Sequence, residues 1–157
     1  MKKITPFLWF DDQAEEAATF YVSVFPNSVI ERITRYGEAG PRPRGTVMTV
    51  EFRLDGQPFV ALNGGPEFRF NPSVSFVVHC DTQEELDEMW ARLSDGGAEV
   101  ECGWLTDRYG LSWQVIPSIL MDLIDPSDPE RADRVLRALM KMKKLDLAAL
   151  RKAADGD

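Results

Sequence analysis

Sliding the chain against itself by 69 residues brings two stretches of like character into line. Phe7-Leu8-Trp9-Phe10-Asp11-Asp12 falls on Phe76-Val77-Val78-His79-Cys80-Asp81, Glu15-Glu16 on Glu84-Glu85, and Phe20-Tyr21 on Met89-Trp90. Pro26-Asn27-Ser28 falls on the turn Asp95-Gly96-Gly97. Each half reads strand, acidic cap, amphipathic helix, turn, strand. Element type repeats more faithfully than residue identity. The chain therefore has to be assembled from two like units, each burying the same kind of face.

The helical segments have a local physical basis. Across 13–25, Ala14, Ala17, Ala18, Tyr21 and Phe25 recur at three- and four-residue spacing and predict one apolar stripe. Asp12 is the expected N-cap, Glu15 and Glu16 suit the positive end of the helix, and Pro26-Asn27 stops it. The second helix is expected over 82–94, capped by Thr82 or Asp81, with Leu86, Met89, Trp90 and Leu93 as its stripe and Gly96-Gly97 beyond its end. Strands are expected at 28–36, 46–54 and 58–63 in the first half, and at 98–105 and 111–117 in the second. Val47 to Leu54 alternates, with Met48, Val50, Phe52 and Leu54 on one face and Thr49, Glu51 and Arg53 on the other. Asp55-Gly56 reads as a hairpin turn. Beyond the repeat, helices are expected over 129–143, with Val135, Leu136, Leu139, Met140 and Met142 on its apolar side, and over 146–154, capped by Asp146. The tail is expected to pack on the outside of a sheet or on a partner subunit.

Composition narrows the function classes. A length of 157 residues suits one domain with a core of its own. A net charge of −8 argues against nucleic acid, whose phosphates demand a basic face. The cluster Lys141, Lys143 and Lys144 sits where it complements a helix dipole. No apolar run reaches the roughly 20 residues of a membrane span, and Met1-Lys2-Lys3-Ile4 runs directly into strand-like sequence. The expectation is a cytoplasmic protein with no membrane partner. Cys80 and Cys102 are too few for a disulfide framework, and His79 is the single histidine, so a His-rich metal site and a Cys-His zinc cluster are excluded.

The order strand, helix, three strands, occurring twice, resembles the module of the vicinal oxygen chelate (glyoxalase/bleomycin resistance) superfamily. Ile4-Thr5-Pro6-Phe7-Leu8-Trp9-Phe10, Ala14-Glu15-Glu16-Ala17, Ala61-Leu62-Asn63-Gly64-Gly65, Ser75-Phe76-Val77-Val78 and the run from Cys102-Gly103-Trp104 to Gln114-Val115-Ile116-Pro117 resemble its PhnB-like branch, through nearly the whole chain, tail included. That branch often carries the label 3-demethylubiquinone-9 3-methyltransferase. The resemblance implies an α+β fold of two tandem βαβββ modules forming an open, cup-shaped mixed sheet. The modules are 1–65 and 73–120, followed by a helical tail, 125–157, within one glyoxalase-like domain. It also implies a homodimer whose cups bind small molecules. The methyltransferase label finds no support in the glycines. Gly64-Gly65 precedes a linker bounded by Pro66 and Pro72, and Gly96-Gly97 ends a helix, so neither opens a nucleotide-binding turn.

Metal-dependent members of the superfamily hold a divalent ion with a side chain on the first strand and one on the last strand of each module. On that pattern the first-strand positions here fall on Pro6 and Ser75, and the last-strand position of module two on Gln114. Asn63 is the nearest polar candidate in module one. These donors do not make a catalytic site, so no metal and no other cofactor is expected. If Gln114 faces the cup, alternation sets Ser112 and Ile116 beside it and sends Trp113 and Val115 to the helix. Pro6, Leu8 and Phe10 then line the cup in module one. Glu51, on the polar strand face, is the candidate general base, with a solvated strand carboxylate as the plain alternative. His79, at a strand end, is the second acid–base candidate against a structural or exposed histidine. Cys102, on a strand beside Gly103, reads as an inert thiol. The preferred function is a metal-free small-molecule-binding protein. The alternative is an enzyme of the same fold using Glu51, Gln114 or His79 for proton transfer or isomerisation of a small substrate, with or without a metal, and the named methyltransferase comes third.

Overall fold

Alternation along the central strand of each half decides which side of each sheet is covered. The computed structural model describes residues 2–156, which divide into one unit ending at Phe70 and a second beginning at Asn71. In the first, β1 (Phe7–Phe10), α1 (Ala14–Val24), β2 (Val29–Arg35), β3 (Val47–Leu54) and β4 (Gln57–Asn63) follow the expected order. The sheet order is β1-β4-β3-β2, with β1 parallel to β4 and the other pairs antiparallel. Val50, Phe52, Leu54, Phe59 and Ala61 are buried on one face, against Ala14, Ala17, Ala18, Tyr21 and Val24 of α1. The Tyr21 ring stacks on Phe52, and Phe52 stacks on Phe59. Asp55 and Gly56 both take positive φ, as a tight hairpin between strands of right-handed twist requires.

Helix α1 is not capped by Asp12. Its N-cap is Gln13, which makes no side-chain cap bond. The amide oxygen of Asn63 takes the Ala14 N–H instead, at 2.8 Å. The nitrogen of the same amide donates to the Val47 carbonyl at 3.2 Å, and the Tyr36 hydroxyl donates to the Asn63 carbonyl at 2.6 Å. The cap therefore comes from a strand 49 residues away and links helix to sheet.

The second unit holds β5 (Ser75–Cys80), α2 (Gln83–Ser94), β6 (Ala98–Glu99), β7 (Trp104–Thr106) and β8 (Ser112–Pro117), in the order β5-β8-β7-β6. Leu105, Trp113, Val115 and Cys80 are buried on the face shared with Leu86, Met89, Trp90 and Leu93 of α2. Thr82 is the N-cap, accepting from the Glu85 N–H. The architecture is therefore α+β, with one mixed sheet and one covering helix in each βαβββ module.

The single strand expected over 98–105 is broken. Cys102 and Gly103 adopt left-handed backbone, with φ of 63° and 83°, so Cys102 lies in a turn and not on a strand. Their N–H groups donate to the carbonyls of Met142 and Lys143, both at 2.8 Å. The helix expected to run to 143 accordingly stops at Leu139, because the residues after it are drawn into this pairing. A Cβ at Gly103 would meet the side chain of Leu145 at 3.1 Å, so glycine is needed for backbone conformation and for clearance alike.

The tail comprises α3 (Leu120–Leu123), which the sequence pattern did not announce, then α4 (Pro129–Leu139) and α5 (Leu147–Asp155). Asp128 and Asp146 cap the two longer helices, and Arg134 donates to the carbonyls of Ala153 and Ala154 at the end of α5. Gln83 of α2 donates to the Leu145 carbonyl and accepts from the Leu147 N–H, while Lys144 pairs with Asp87. Within its unit the tail is thus fastened to α2 and to the 102–103 turn. Val135, Leu145 and Leu150 are fully buried, whereas Leu136 and Met140, expected on the apolar side, are exposed.

Candidate functional site

Each sheet has a second face, turned away from its helix, and the chemistry collects there. In module one the registers Phe7↔Val60↔Glu51 and Trp9↔Leu62↔Thr49 set these residues side by side on that open face. Phe7 is 59% exposed, unusual for a phenylalanine within a strand. Glu51 is clasped by Arg32 through two hydrogen bonds, Nε to Oε2 and Nη2 to Oε1. Arg53 pairs with Glu31 beside it and also donates to the Gly56 carbonyl. A cleft of about 610 Å3 opens over this surface, lined among others by Lys2, Phe7, Glu51, Arg53, Pro58 and Val60. That volume lies within the range of small-molecule sites. It offers an aromatic and aliphatic floor edged by two neutralised ion pairs. Each oxygen of Glu51 takes one N–H of the Arg32 guanidinium, so the carboxylate charge is paired and only its remaining lone pairs face a ligand.

Three expected lining residues lie elsewhere. Leu8 and Phe10 are 6% and 3% exposed and share the helix-covered face, since Leu8 pairs with Ala61 and Phe10 with Asn63. Pro6 precedes the strand with the same parity, and its carbonyl accepts the Val60 N–H at 3.0 Å. The reversal has a simple cause. Phe10 and Cys80 close their strands in the same way, their carbonyls accepting the N–H groups of Gly64 and Ser118, so the strands repeat at an offset of 70 residues. The helices, beginning at Ala14 and Gln83, repeat at 69. The link from strand to helix is one residue longer in module one, and one residue inverts every side chain of a strand. The counterpart of Ser75 is consequently Thr5, and that of Gln114 is Val60. Asn63 is buried in the capping role described above and borders a separate cleft of about 370 Å3 beside Asp12, Glu15 and Arg42.

In module two the open face carries Ser75, Val77 and His79 from β5, Ser112, Gln114 and Ile116 from β8, and Trp104 and Thr106 from β7. The Gln114 amide donates to the Ser75 hydroxyl at 2.9 Å. His79 is exposed and pairs in register with Ile116. It stands in the other module from Glu51, so neither unit by itself brings the two acid–base candidates together. Trp113 and Val115 lie on the covered face, where Asp107 accepts from the Trp113 indole and from the N–H groups of Tyr109 and Leu111. Asp107 thereby braces the turn into β8. The Cys80 thiol is pushed up to about 12 by burial first and then by the carboxylates of Glu85 and Asp81, which keeps it neutral and unreactive.

The metal pattern of the superfamily falls on four positions of these two open faces. The first-strand places are held by Thr5 and Ser75 and the last-strand places by Val60 and Gln114. Ser75 is engaged by the Gln114 amide nitrogen, Val60 has no side-chain donor atom, and one amide oxygen with two hydroxyls is a weak ligand set. Among the described residues no group of three His, Cys, Asp or Glu side chains is placed to hold an ion. These residues do not fit a catalytic metal.

The family model described as 3-demethylubiquinone-9 3-methyltransferase matches residues 2–116. The chain belongs to this family. It forms the PhnB-like branch of the vicinal oxygen chelate superfamily. The PhnB protein from Bacillus cereus is 41% identical, with a TM-score of 0.68, over 74% of this chain and 99% of that one. A protein from Pseudomonas aeruginosa is 20% identical with a TM-score of 0.62, over 74% of this chain and 98% of that one. The genomically encoded fosfomycin resistance protein FosX from Listeria monocytogenes is 12% identical with a TM-score of 0.51, over 84% of this chain and 98% of that one. The last two establish the fold alone. No curated protein matches the chain. The family match ends at Ile116, in β8, so the tail that the sequence reading included in the resemblance lies beyond it.

Several residues of the two open faces escaped the sequence reading. Thr5, Phe7, Arg32 and Arg53 in module one and Thr106 in module two carry no site signal of their own in the sequence, and Trp104 reads there as a core residue before a stacking platform. A signal existed for the first pair: Asp11-Asp12-Gln13 against Asp81-Thr82 is the extra residue that fixes strand parity. The pairing of Arg32 with Glu51 depends on a bulge between Ile30 and Arg32, which no local pattern announces.

Proposed function

We propose that the chain is a small-molecule-binding protein whose ligand rests in the cleft on the open face of module one, without a metal. The observation that carries this reading is the exposed Phe7 ring beside a carboxylate, Glu51, already neutralised by Arg32. Such a surface gains from covering an aromatic ring and has no unpaired strong base to offer. The ligand class that fits is a flat, largely apolar molecule with polar edges that meet the ion pairs. The protein works as a homodimer in the cytoplasm; the family resemblance supports the dimer. No described helix is long and apolar enough to cross a membrane. Native mass spectrometry of untagged protein tests the reading. A co-purified small molecule is expected, retained in Glu51→Gln and lost in Phe7→Ala. Turnover of that molecule, abolished by Glu51→Gln, would establish the enzymatic alternative instead.

The family description favours one further reading, methyl transfer. It requires a site for the methyl donor. Gly64-Gly65 and Gly96-Gly97 lead into a linker and out of α2, and neither begins a helix. Calorimetric titration with S-adenosylmethionine decides it: no heat of binding is expected, and micromolar binding would revive the methyltransferase.

A further inference from the structure

Charge is unevenly placed along this chain. The two longer tail helices and the turn between them, 129–155, hold eight basic residues against four acidic ones, and the rest of the chain holds ten against twenty-two. Most arginines outside the tail are already engaged: Arg32, Arg42, Arg44, Arg53, Arg92 and Arg108 face carboxylates of their own module. In the tail, Lys144 reaches Asp87, whereas Lys141 and Lys143 are exposed and have no carboxylate partner among the described residues.

Apolar side chains accompany these two ammonium groups. Leu136 and Met140 stand one helical turn apart, outside the face that buries Val135, and are 42% and 68% exposed. The tail packs without them, through Val135, Leu145 and Leu150 and through the bonds from Arg134 to the end of α5. A surface of opposite character lies at the start of α1. Asp11, Asp12, Glu15 and Glu16 are all exposed there, and the one cation described beside them is Arg42, 4.0 Å from Asp11. Asp12 and Glu15 border the cleft of about 370 Å3 whose walls include Pro43, Thr46 and Val47. Carboxylates beside an apolar wall suit a lysine, whose stem lies along the wall while its ammonium group meets the acids.

We propose that the basic end of the tail, Leu136 to Lys143, docks on the acidic start of α1 in a second copy of this chain. Lys141 and Lys143 pair with Asp12, Glu15 and Glu16, and Met140 and Leu136 cover the apolar wall of the cleft beside them. Charge selects this occupant. Two copies that each carry a charge of −8 repel, so they associate only where opposite charges or apolar surfaces meet, and here the chain offers both. A two-fold arrangement forms the contact twice, each tail reaching the α1 of the other copy. The inference rests on the homodimer proposed above and names its interface. It makes no use of the ligand cleft.

Analytical ultracentrifugation of the full chain over a concentration series tests it. The native protein is expected to dimerise, with a dissociation constant that rises about tenfold between low and half-molar salt. Lys141→Glu with Lys143→Glu, and separately Glu15→Lys with Glu16→Lys, should each weaken the dimer at least about a hundredfold. Both variants should keep the native circular dichroism spectrum, because all four side chains are exposed. Mixing the two variants should restore the dimer, since each tail then meets an acceptor of opposite sign. A dimer indifferent to either pair of substitutions, or one that mixing does not restore, overturns the interface and leaves the homodimer reading standing. A native chain that stays monomeric at every concentration overturns both. If that monomer sediments with phosphatidylserine vesicles and the Lys141→Glu, Lys143→Glu variant does not, the face belongs to a lipid surface instead.

Discussion

Two modules with one topology present opposite chemistry. Both run strand, helix, three strands, and both bury an alternating face under a helix. On the face that alternation leaves over, module one sets an exposed phenylalanine among Arg–Glu pairs, and module two sets hydroxyls, an amide and an indole. Register makes the contrast specific, because Val60 occupies the place of Gln114 and Glu51 the place of Trp104. The covered positions are constrained by packing, and the alternate positions are free to diverge. Duplicating a fold therefore duplicates a scaffold and leaves two sites to be filled separately.

The modules also differ in support, and the largest expected effect breaks that difference. Gly103→Val forces a β-branched residue into left-handed backbone and against Leu145, and should cost about 3 kcal/mol. Thermal melting checks it. The loss should be accompanied by rapid proteolysis of the tail, while the module-one amides around Phe52 keep their NMR positions. Asn63→Ala is the counterpart in module one. It leaves the Ala14 N–H and the Val47 carbonyl unpaired and should cost about 2 kcal/mol, read from a urea titration. Pro117 holds the corresponding place in module two, so no equivalent cap exists there to be lost.

Cys80 sharpens the comparison through pH, since its counterpart Phe10 cannot ionise. The thiol lies near 12 in the folded chain against 9.0 for an unburdened thiol. Above pH 9 the unfolded chain loses this proton while the folded chain keeps it, so the unfolded state binds fewer protons and stability falls with rising pH. The contribution is intact below pH 9 and is lost progressively toward 12, at no more than about 1.4 kcal/mol per pH unit. Urea titrations between pH 8.5 and 10.5 should show this slope in the native protein and lose it in Cys80→Ala. The smallest effect belongs to Arg32→Ala. The pair is largely exposed, so stability should change by no more than about 0.5 kcal/mol. Ligand retention in the module-one cleft should nevertheless fall, as Glu51 is left with an uncompensated charge.

Much of the fold was legible because covered positions repeat with the period of their element. The stripes of α1 and α2, the Asp55-Gly56 hairpin and the Asp146 cap are all local patterns. The site was harder to read because facing depends on parity. Counting from the helix stripe instead of through the strand–helix link placed Leu8 and Phe10 on the wrong side. Asn63 acts across 49 residues of sequence, and Cys102-Gly103 is bent by carbonyls some 40 residues away, so neither leaves a local signature. Ser112, Gln114 and Ile116 were placed on a common face because the alternation of β8 is uninterrupted.

Binding of a small molecule on an open sheet face without a divalent ion leaves a signature in the protein as purified. Elemental analysis of untagged protein, with the same sample weighed intact by native mass spectrometry, tests it most directly. The expected result is a dimer with metal far below one ion per chain and with a bound organic molecule. One divalent ion per chain, lost together with the ligand on chelation, would contradict it.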